Sequence, residues 1–147
     1  WDIFDTVVGS SAIQGLLPRR FNTLSGGEQQ RVQFARALLQ LYSSNDELSG
    51  KYMLLDEPTS NLDIAHGLHM LSLLKQVVSH GVGAAMVLHD LNLAARFADT
   101  VILLHHGKVV RSGSVEHVFN EDIFTDVYGT KIYVERHDSL NRLVVHS

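Results

Sequence analysis

The sequence predicts an α/β fold in which parallel core strands are flanked by helices, with a C-terminal β-hairpin. Two short apolar runs without alternation, residues 52–55 and 84–88, are typical of strands that helices cover on both faces of a parallel sheet. A helical pattern over residues 62–80 separates them. Polar residues follow both runs directly, and in open α/β sheets functional groups gather at the carboxyl ends of strands.

The segment before the first strand contains two predicted helical stretches. Residues 1–18 mix apolar and polar positions and end at Pro18, which stops a helix. Ser25-Gly26-Gly27 then opens a long helical pattern that ends at a polar loop, residues 43–50. Its predicted core face consists of apolar residues at helical spacing: Val32, Ala35, Leu38, Leu39 and Tyr42.

The remaining elements are short and are separated by turn residues. In helix 62–80 we expect one apolar face and, at Gly81, a C-cap. Asp90 is placed to cap a helix over residues 91–97, and the turn His105-His106-Gly107 predicts a hairpin. The predicted apolar face of helix 62–80 consists of Leu68, Leu71, Leu74 and Val78. The other predicted elements are strands 101–104 and 108–111, helices 115–119 and 122–127, and strands 132–135 and 142–145.

Composition is that of an ordinary globular domain. The 147 residues are 45% hydrophobic and 19% charged, which supplies enough apolar material for a core. A net charge of −4 indicates no basic surface, so no nucleic-acid partner is expected. The lack of cysteine excludes disulfides and thiolate metal sites. The longest apolar runs, such as residues 100–104, are too short to span a bilayer.

Two acidic residues follow the first predicted strand. A hydrophobic strand that ends in an aspartate is the Walker B arrangement, in which the carboxylate of Asp56 reaches the Mg²⁺ of a bound nucleotide. The adjacent Glu57 could orient or deprotonate an attacking water. A pair of acids that caps a helix after a strand fits this short pattern about equally well.

A second candidate site lies at the start of the long helix, in the stretch LSGGEQQ at residues 24–30. Glycines before a helix let backbone N–H groups approach an anion closely, and the helix N-terminus adds partial positive charge. Ser25 offers a hydroxyl to the same oxygens. An ordinary N-cap turn would explain Ser25-Gly26-Gly27 alone, but it explains the full stretch poorly.

Four segments together resemble motifs of the ABC ATPase family. Residues 24–32 resemble its signature, residues 52–60 its Walker B motif with the catalytic glutamate, and residues 60–63 its D-loop. His89 stands where the family has its switch histidine. Because these motifs occur in the family's order and spacing, the chain resembles the C-terminal half of one ABC ATPase domain, a partial P-loop NTPase fold.

The resemblance implies ATP and Mg²⁺ as cofactors and a second ATPase subunit as a partner in a homodimer. Ser25, Gly26, Gly27 and Glu28 of the signature would bind the γ-phosphate of a nucleotide that the second subunit holds. This binding would be in trans, so each nucleotide would lie between two copies.

The other matching residues would act on the nucleotide of their own subunit or join the two sites. Asp56 would be the Mg²⁺ ligand, and Glu57 would act as general base or water-orienting group. His89 would contact the γ-phosphate and sense its loss. Ser60 and Asp63 belong to the D-loop, which would couple the two sites across the dimer. Electrostatic positioning of this kind is the main catalytic device in phosphoryl transfer.

The family's phosphate-binding loop, G-x-x-x-x-G-K-[ST], does not occur in the sequence, and its Q-loop lies upstream of the signature. The N-terminal half of the domain is therefore expected to be absent, with Trp1 at an experimental or processing boundary. The chain would then divide into the end of the helical subdomain (1–24), the signature-to-switch region (25–112) and C-terminal helices and strands (113–147). On this view the chain alone binds ATP weakly or not at all, hydrolyses none, and exposes apolar sheet edges that favour oligomerisation.

Within the family, an importer's motor subunit is favoured over an ABC ATPase of DNA repair, chromosome organisation or translation. Those relatives carry coiled coils, zinc-binding cysteines or basic linkers that the sequence lacks. A naturally truncated binding module is a third interpretation. Residues 56–66, 89–95 and 127–129 resemble the subgroup that imports iron–siderophore, haemin and cobalamin, and the loop at residues 42–51 favours haemin.

The importer resemblance also implies partners and a location. The partners would be transmembrane permease subunits and a periplasmic or extracellular substrate-binding protein. The location would be peripheral, at the cytoplasmic face of the inner membrane. The histidine pair His66 and His69 is compatible with shared metal ligation, but without a third ligand of defined spacing surface histidines are the favoured interpretation.

Overall fold

A computed structural model of the chain describes residues 2–42 and 47–147, with the side chains of the first helix described from residue 4. The chain forms two compact units, Trp1–Leu88 and His89–Ser147. The three segments predicted from the sequence do not coincide with these units, and that division stays a prediction.

The first unit alternates helices and strands as the sequence predicts. The strands β1 and β2 pair in parallel, from Tyr52 opposite Gly83 to Asp56 opposite Val87. Part of the predicted loop at residues 43–50 lies outside the described residues. The main elements are α1 (Asp2–Ser10), α2 (Gly26–Tyr42), β1 (Tyr52–Asp56), α3 (Ile64–Ser79) and β2 (Gly83–Val87).

The core of the first unit lies among its three helices and one face of the strand pair. In α2 the predicted face is partly right: Ala35 and Leu38 are buried, but Phe34 and Leu41 are buried with them. The other predicted positions, Val32, Leu39 and Tyr42, are half-buried at the margin of the cluster. In α3 the predicted face is also partly right: Leu71 and Leu74 are buried, and Met70 and Val77 are buried with them. Both helices bury a stripe wider than a single row of residues, because neighbours contact them from more than one side.

The prediction that both strands are covered on two faces is wrong for the described chain. Met53 is buried against the helices, whereas Tyr52 and Leu54 are 79% and 82% exposed. Side chains of a strand alternate between faces, so one face of the pair packs on the core and the other lies open. In β2, Ala85 and Val87, which lie opposite Leu54 and Asp56, are exposed as well. An apolar run without alternation thus indicated a strand correctly but not what covers it.

The second unit contains two antiparallel strand pairs and three short helices. Strands β3 and β4 form the predicted hairpin, whose turn residues His106 and Gly107 have φ of +49° and +72°. Positive φ at both central positions matches the right-handed strand twist, and Gly adopts it without strain. The elements are α4 (Leu91–Phe97), β3 (Val101–His105), β4 (Lys108–Gly113), α5 (Val115–Val118), α6 (Glu121–Tyr128), β5 (Tyr133–His137) and β6 (Arg142–His146).

A side-chain amide joins α4 to the last strand. Asn92 Nδ2 donates to the carbonyl oxygen of Val145 at 2.9 Å, and Asn92 Oδ1 accepts from the N–H of Val145, also at 2.9 Å. The helix itself starts at its predicted cap, because the Asp90 carboxylate accepts from the N–H groups of Asn92 and Leu93. The N-cap and the amide contact together fix the position of α4 against β6.

Core packing gives a first prediction. Leu74 of α3 is 2% exposed, so Leu74→Ala should lower the free energy of unfolding by about 2–5 kcal/mol through lost burial and a residual cavity. Ile64 on the same helix is 83% exposed, and Ile64→Ala should change it by less than about 0.5 kcal/mol. Urea unfolding followed by circular dichroism measures both; equal losses would contradict the packing described.

Candidate nucleotide-binding site

The first turn of α2 is held by a reciprocal capping box. The Glu28 N–H donates to Ser25 Oγ at 3.3 Å, and the Ser25 N–H donates to Glu28 Oε2 at 2.8 Å. Arg19 Nη1 donates to Glu28 Oε1 at 2.7 Å, so the carboxylate is both hydrogen-bonded and paired with a cation. The pattern S-x-x-E just before an apolar run is a known helix start, which explains why the helix begins here.

These contacts act on the acidity of Glu28. The Ser25 N–H is the largest of several interactions that lower the pKa of the Glu28 carboxyl below its ordinary value of 4.5, and Arg19 adds to it. Glu28 is thus held as an anion that faces the loop before the helix. Its oxygens are engaged by protein donors, so in this arrangement Glu28 orients the first turn of the helix.

The remaining groups at this helix end are suited to an anion. Gly26 and Gly27 take the first two helical positions, whose N–H groups have no acceptor within an α-helix. The next two N–H groups are bonded: that of Glu28 to Ser25 Oγ, and that of Gln29 to the Ser25 carbonyl oxygen at 2.8 Å. Ser25 and Gly26 are exposed. The geometry fits a phosphate oxygen, which backbone N–H groups and the helix dipole both favour.

The two predicted acids lie where β1 ends and the following loop begins. Asp56 is the last residue of β1 and is exposed, and its carboxylate is the hard oxygen ligand that Mg²⁺ prefers. Glu57 has φ of +45°, in the left-handed region that non-glycine residues occupy at a cost of roughly 1–2 kcal/mol. Its carbonyl oxygen accepts from the N–H of Ser60 at 3.2 Å and from Ser60 Oγ at 3.1 Å. A tight turn thus holds Glu57 in place.

The first turns of α2 lie directly against this loop. A Cβ atom on Gly27 would stand 2.5 Å from the carbonyl oxygen of Asn61, a distance that only glycine permits. Gln30, one turn later, donates from Nε2 to the Glu57 carbonyl oxygen at 2.6 Å and accepts at Oε1 from the Asn61 N–H at 3.2 Å. The structure therefore brings the signature segment, Glu57 and the D-loop segment together. The sequence places Gln30 within the signature stretch but predicts no role of its own for it, although its position three residues after Gly27 puts both on one helix face.

Asp63, the last residue of the predicted D-loop, is the N-cap of α3. Its carboxylate accepts from the His66 N–H at 2.9 Å and contacts His66 Nδ1 at 2.8 Å. These bonds, with the His66 N–H first, lower the pKa of Asp63 below its ordinary value of 3.8. His66 therefore pairs with Asp63, while the Nε2 atom of His69 contacts the Ser10 carbonyl oxygen. Among the described residues, no group of three or more His, Asp or Glu side chains is arranged to hold a metal ion.

His89 opens the second unit and is exposed. The parallel register of the first unit ends with Asp56 opposite Val87, and His89 follows two residues further along the chain. The neighbouring Asp90 is the N-cap of α4. Of the two polar residues after β2, Asp90 therefore has a structural role as a helix cap. The placement of His89 beside Asp56 stays a prediction.

Comparisons of sequence place these features in a known family. No protein-family model matches the chain. The chain is 48% identical over 126 residues to the hemin import ATP-binding protein HmuV of Enterobacter cloacae, covering 83% of this chain and 48% of that protein. It is 47% identical over 122 residues to the protein of that name from Escherichia coli O157:H7, covering 82% and 47%. The chain thus spans about half the length of the curated relatives it matches.

Solved structures agree on the fold. A dimeric bacterial ABC transporter cassette is 30% identical and matches with a TM-score of 0.63, covering 77% of this chain and 46% of the other. An inward-facing metal-chelate type ABC transporter matches with a TM-score of 0.73 at 24% identity, covering 98% of this chain and 55% of the other; at that identity it supports the fold alone.

The parallel strands, the capped glycine helix and these matches define the class: the chain belongs to the ABC ATPase family. Within that family it is similar to the hemin import ATP-binding proteins, as the sequence analysis predicts. The predicted fold class is confirmed. In the described residues, no helix is both long and apolar enough to cross a membrane.

The two signature glycines should respond differently to the same substitution. Gly27→Ala places Cβ against the Asn61 backbone and should lower the free energy of unfolding by about 1–3 kcal/mol through overpacking. In Gly26→Ala the nearest atom is on the Asn61 side chain at 3.6 Å, an ordinary contact, so the change should stay below about 0.5 kcal/mol. Denaturant unfolding of both variants tests this, and equal stabilities would exclude the close approach.

The capping box should also be visible in a pH titration. Because the pKa of Glu28 is lowered, its contribution to stability is complete above pH 4.5 and is lost as the pH falls through the lowered folded-state pKa. Arg19→Ala should raise that pKa but leave it below 4.5, because the Ser25 N–H is the larger cause. Carboxyl NMR titration measures the midpoint, with Arg20→Ala as the neighbouring control. An unchanged midpoint in Arg19→Ala would contradict the ion pair.

Proposed function

We propose that the chain is the signature and Walker B half of the ATP-hydrolysing subunit of an ABC importer. One observation carries the proposal: a helix end suited to a phosphate is packed against the loop that carries Asp56 and Glu57. Two sets of groups that are suited to a triphosphate thus lie on two segments in direct contact. In the proposed dimer the two sets bind different nucleotides. The parent protein is accordingly an enzyme, an ABC-type ATPase coupled to transport.

The signature groups act on a nucleotide that a second copy holds. Ser25 donates its hydroxyl, and Gly26 and Gly27 donate backbone N–H groups to γ-phosphate oxygens. The capping box supports this role, because it takes the Glu28 carboxylate away from the anion and pairs it with Arg19. Glu28 then positions the signature segment, while Ser25, Gly26 and Gly27 make the contacts with the nucleotide.

Catalytic roles fall to the loop after β1 and to His89. Asp56 holds Mg²⁺, which supplies charge neutralisation on the phosphates. Glu57 orients or deprotonates the attacking water, and the tight turn at its carbonyl supports a fixed side-chain position. His89 contacts the γ-phosphate, the role that the family resemblance implies. In the D-loop, Ser60 donates a hydrogen bond to the Glu57 carbonyl oxygen. Asp63 caps the start of α3 and couples the two sites across the dimer.

Cargo and partners follow from the relatives. Curated proteins about half identical to this chain are named for hemin import, which favours haemin, or another iron complex, as the transported substrate. The partners are a second ATPase subunit, transmembrane permease subunits and a periplasmic or extracellular substrate-binding protein, and the location is the cytoplasmic face of the inner membrane. The exposed face of β1, with Tyr52 and Leu54, is where the rest of such a cassette packs. No observation favours a DNA-repair or translation ATPase.

The proposal is tested by Glu57→Gln in the complete subunit that carries this sequence. ATP hydrolysis should fall by about 100-fold or more, because the water loses its base, while ATP binding is retained and the closed dimer accumulates. Glu116→Gln, an acid exposed on α5 of the second unit, is the matched control and should keep full turnover. Phosphate release and size-exclusion chromatography are the readouts; full turnover in Glu57→Gln would refute the assigned role.

A further inference from the structure

We propose that Gln30 is a positioning residue that holds the backbone of Glu57 in its catalytic conformation. The inference rests on the proposed function and deepens it, because it gives a role at the same site to a residue of the signature stretch that has no assigned role there. Gln30 lies on α2, near the end of the signature stretch at residues 24–32, and reaches the loop after β1 through both polar atoms of its side-chain amide.

The bonding around the Glu57 carbonyl oxygen carries the first step. Two of its donors, the N–H and Oγ of Ser60, come from within the same turn at 3.2 and 3.1 Å. The third, Gln30 Nε2, comes from a different element and is the shortest, at 2.6 Å. Ser60 belongs to the same turn as Glu57 and would move with it, whereas Gln30 connects the Glu57 carbonyl oxygen to helix α2.

The conformation of Glu57 carries the second step. Its φ of +45° is one that an L-residue with a side chain adopts only when surrounding contacts impose it. Rotation of the Glu57 peptide toward an ordinary φ would turn its carbonyl away from Gln30. The hydrogen bond from the Gln30 side chain therefore stabilises the left-handed conformation of Glu57. It thereby also sets the direction of the Glu57 side chain at the end of the strand.

The third step concerns the other end of the amide. Gln30 Oε1 accepts from the Asn61 N–H at 3.2 Å, and the Asn61 carbonyl oxygen is the atom that excludes a side chain at Gly27. Gln30 and Gly27 lie on one helix face, and together they contact both ends of the segment from Glu57 to Asn61. In the proposed dimer the signature end of α2 serves one nucleotide and Glu57 the other, so Gln30 links the two within one chain.

Three substitutions separate the two bonds. Gln30→Met removes both with little change in volume; Gln30→Glu keeps an acceptor for Asn61 but loses the donor to Glu57; Gln30→Lys keeps a donor but loses the acceptor. In the complete subunit, Gln30→Met and Gln30→Glu should lower kcat about 5- to 10-fold and leave the KM for ATP within about twofold. Gln30→Lys should lose less than either. Gln76→Met, an exposed glutamine near the end of α3, is the matched control.

A second readout does not depend on turnover. Amide hydrogen exchange at Asn61 should speed up in Gln30→Met and Gln30→Lys, which lack the acceptor, and stay slow in Gln30→Glu. If folded Gln30→Met and Gln30→Glu subunits keep kcat within twofold of the parent, the inference is wrong. If Glu57→Gln abolishes turnover while Gln30→Met and Gln30→Glu keep kcat within twofold of the parent, only the role of Gln30 fails. If Glu57→Gln itself stays active, the proposed function fails and this inference with it.

Discussion

The contact between the start of α2 and the loop after β1 is the interaction on which the site depends. It requires glycine at residue 27, because a side chain there would overlap the Asn61 carbonyl. It also requires an amide at residue 30, since only a group that both donates and accepts meets Glu57 and Asn61 together. Steric fit and hydrogen bonding thus select the same register between helix and loop, which is why the phosphate-suited helix end and the acidic loop form one rigid feature.

Several residues of the family motifs carry structural work beside their proposed chemistry. Glu28 closes the capping box of α2, Asp63 caps α3, and Asp90, directly after His89, caps α4. Each acid satisfies N–H groups that a helix start leaves without partners. Acidic side chains at these positions are therefore engaged in local hydrogen bonds, which leaves the backbone N–H groups, Asp56 and Glu57 for the proposed contacts with a nucleotide.

Much of the fold could be predicted from the sequence, since local signals define its elements. The hairpin around His106, the cap at Asp90 and the helix start at Ser25 depend on residues within a few positions of each other. Burial was harder: Leu54 is apolar yet exposed, because what covers a strand is decided by distant chain segments. The same holds for the contacts of Gln30: the residue lies in the signature stretch, but its partners lie 27 and 31 residues away, so no local pattern predicts which groups it bonds.

The amide of Asn92 has a consequence for association between molecules. By bonding both the N–H and the carbonyl of Val145, it occupies the groups through which β6 could accept a further strand at that point. Open strand edges template intermolecular pairing, and proteins block them with charges, bulges or covering elements. Here one side chain acts as the cover. At Val145, the outer edge of β6 is thereby closed to a further strand by the side chain of one asparagine.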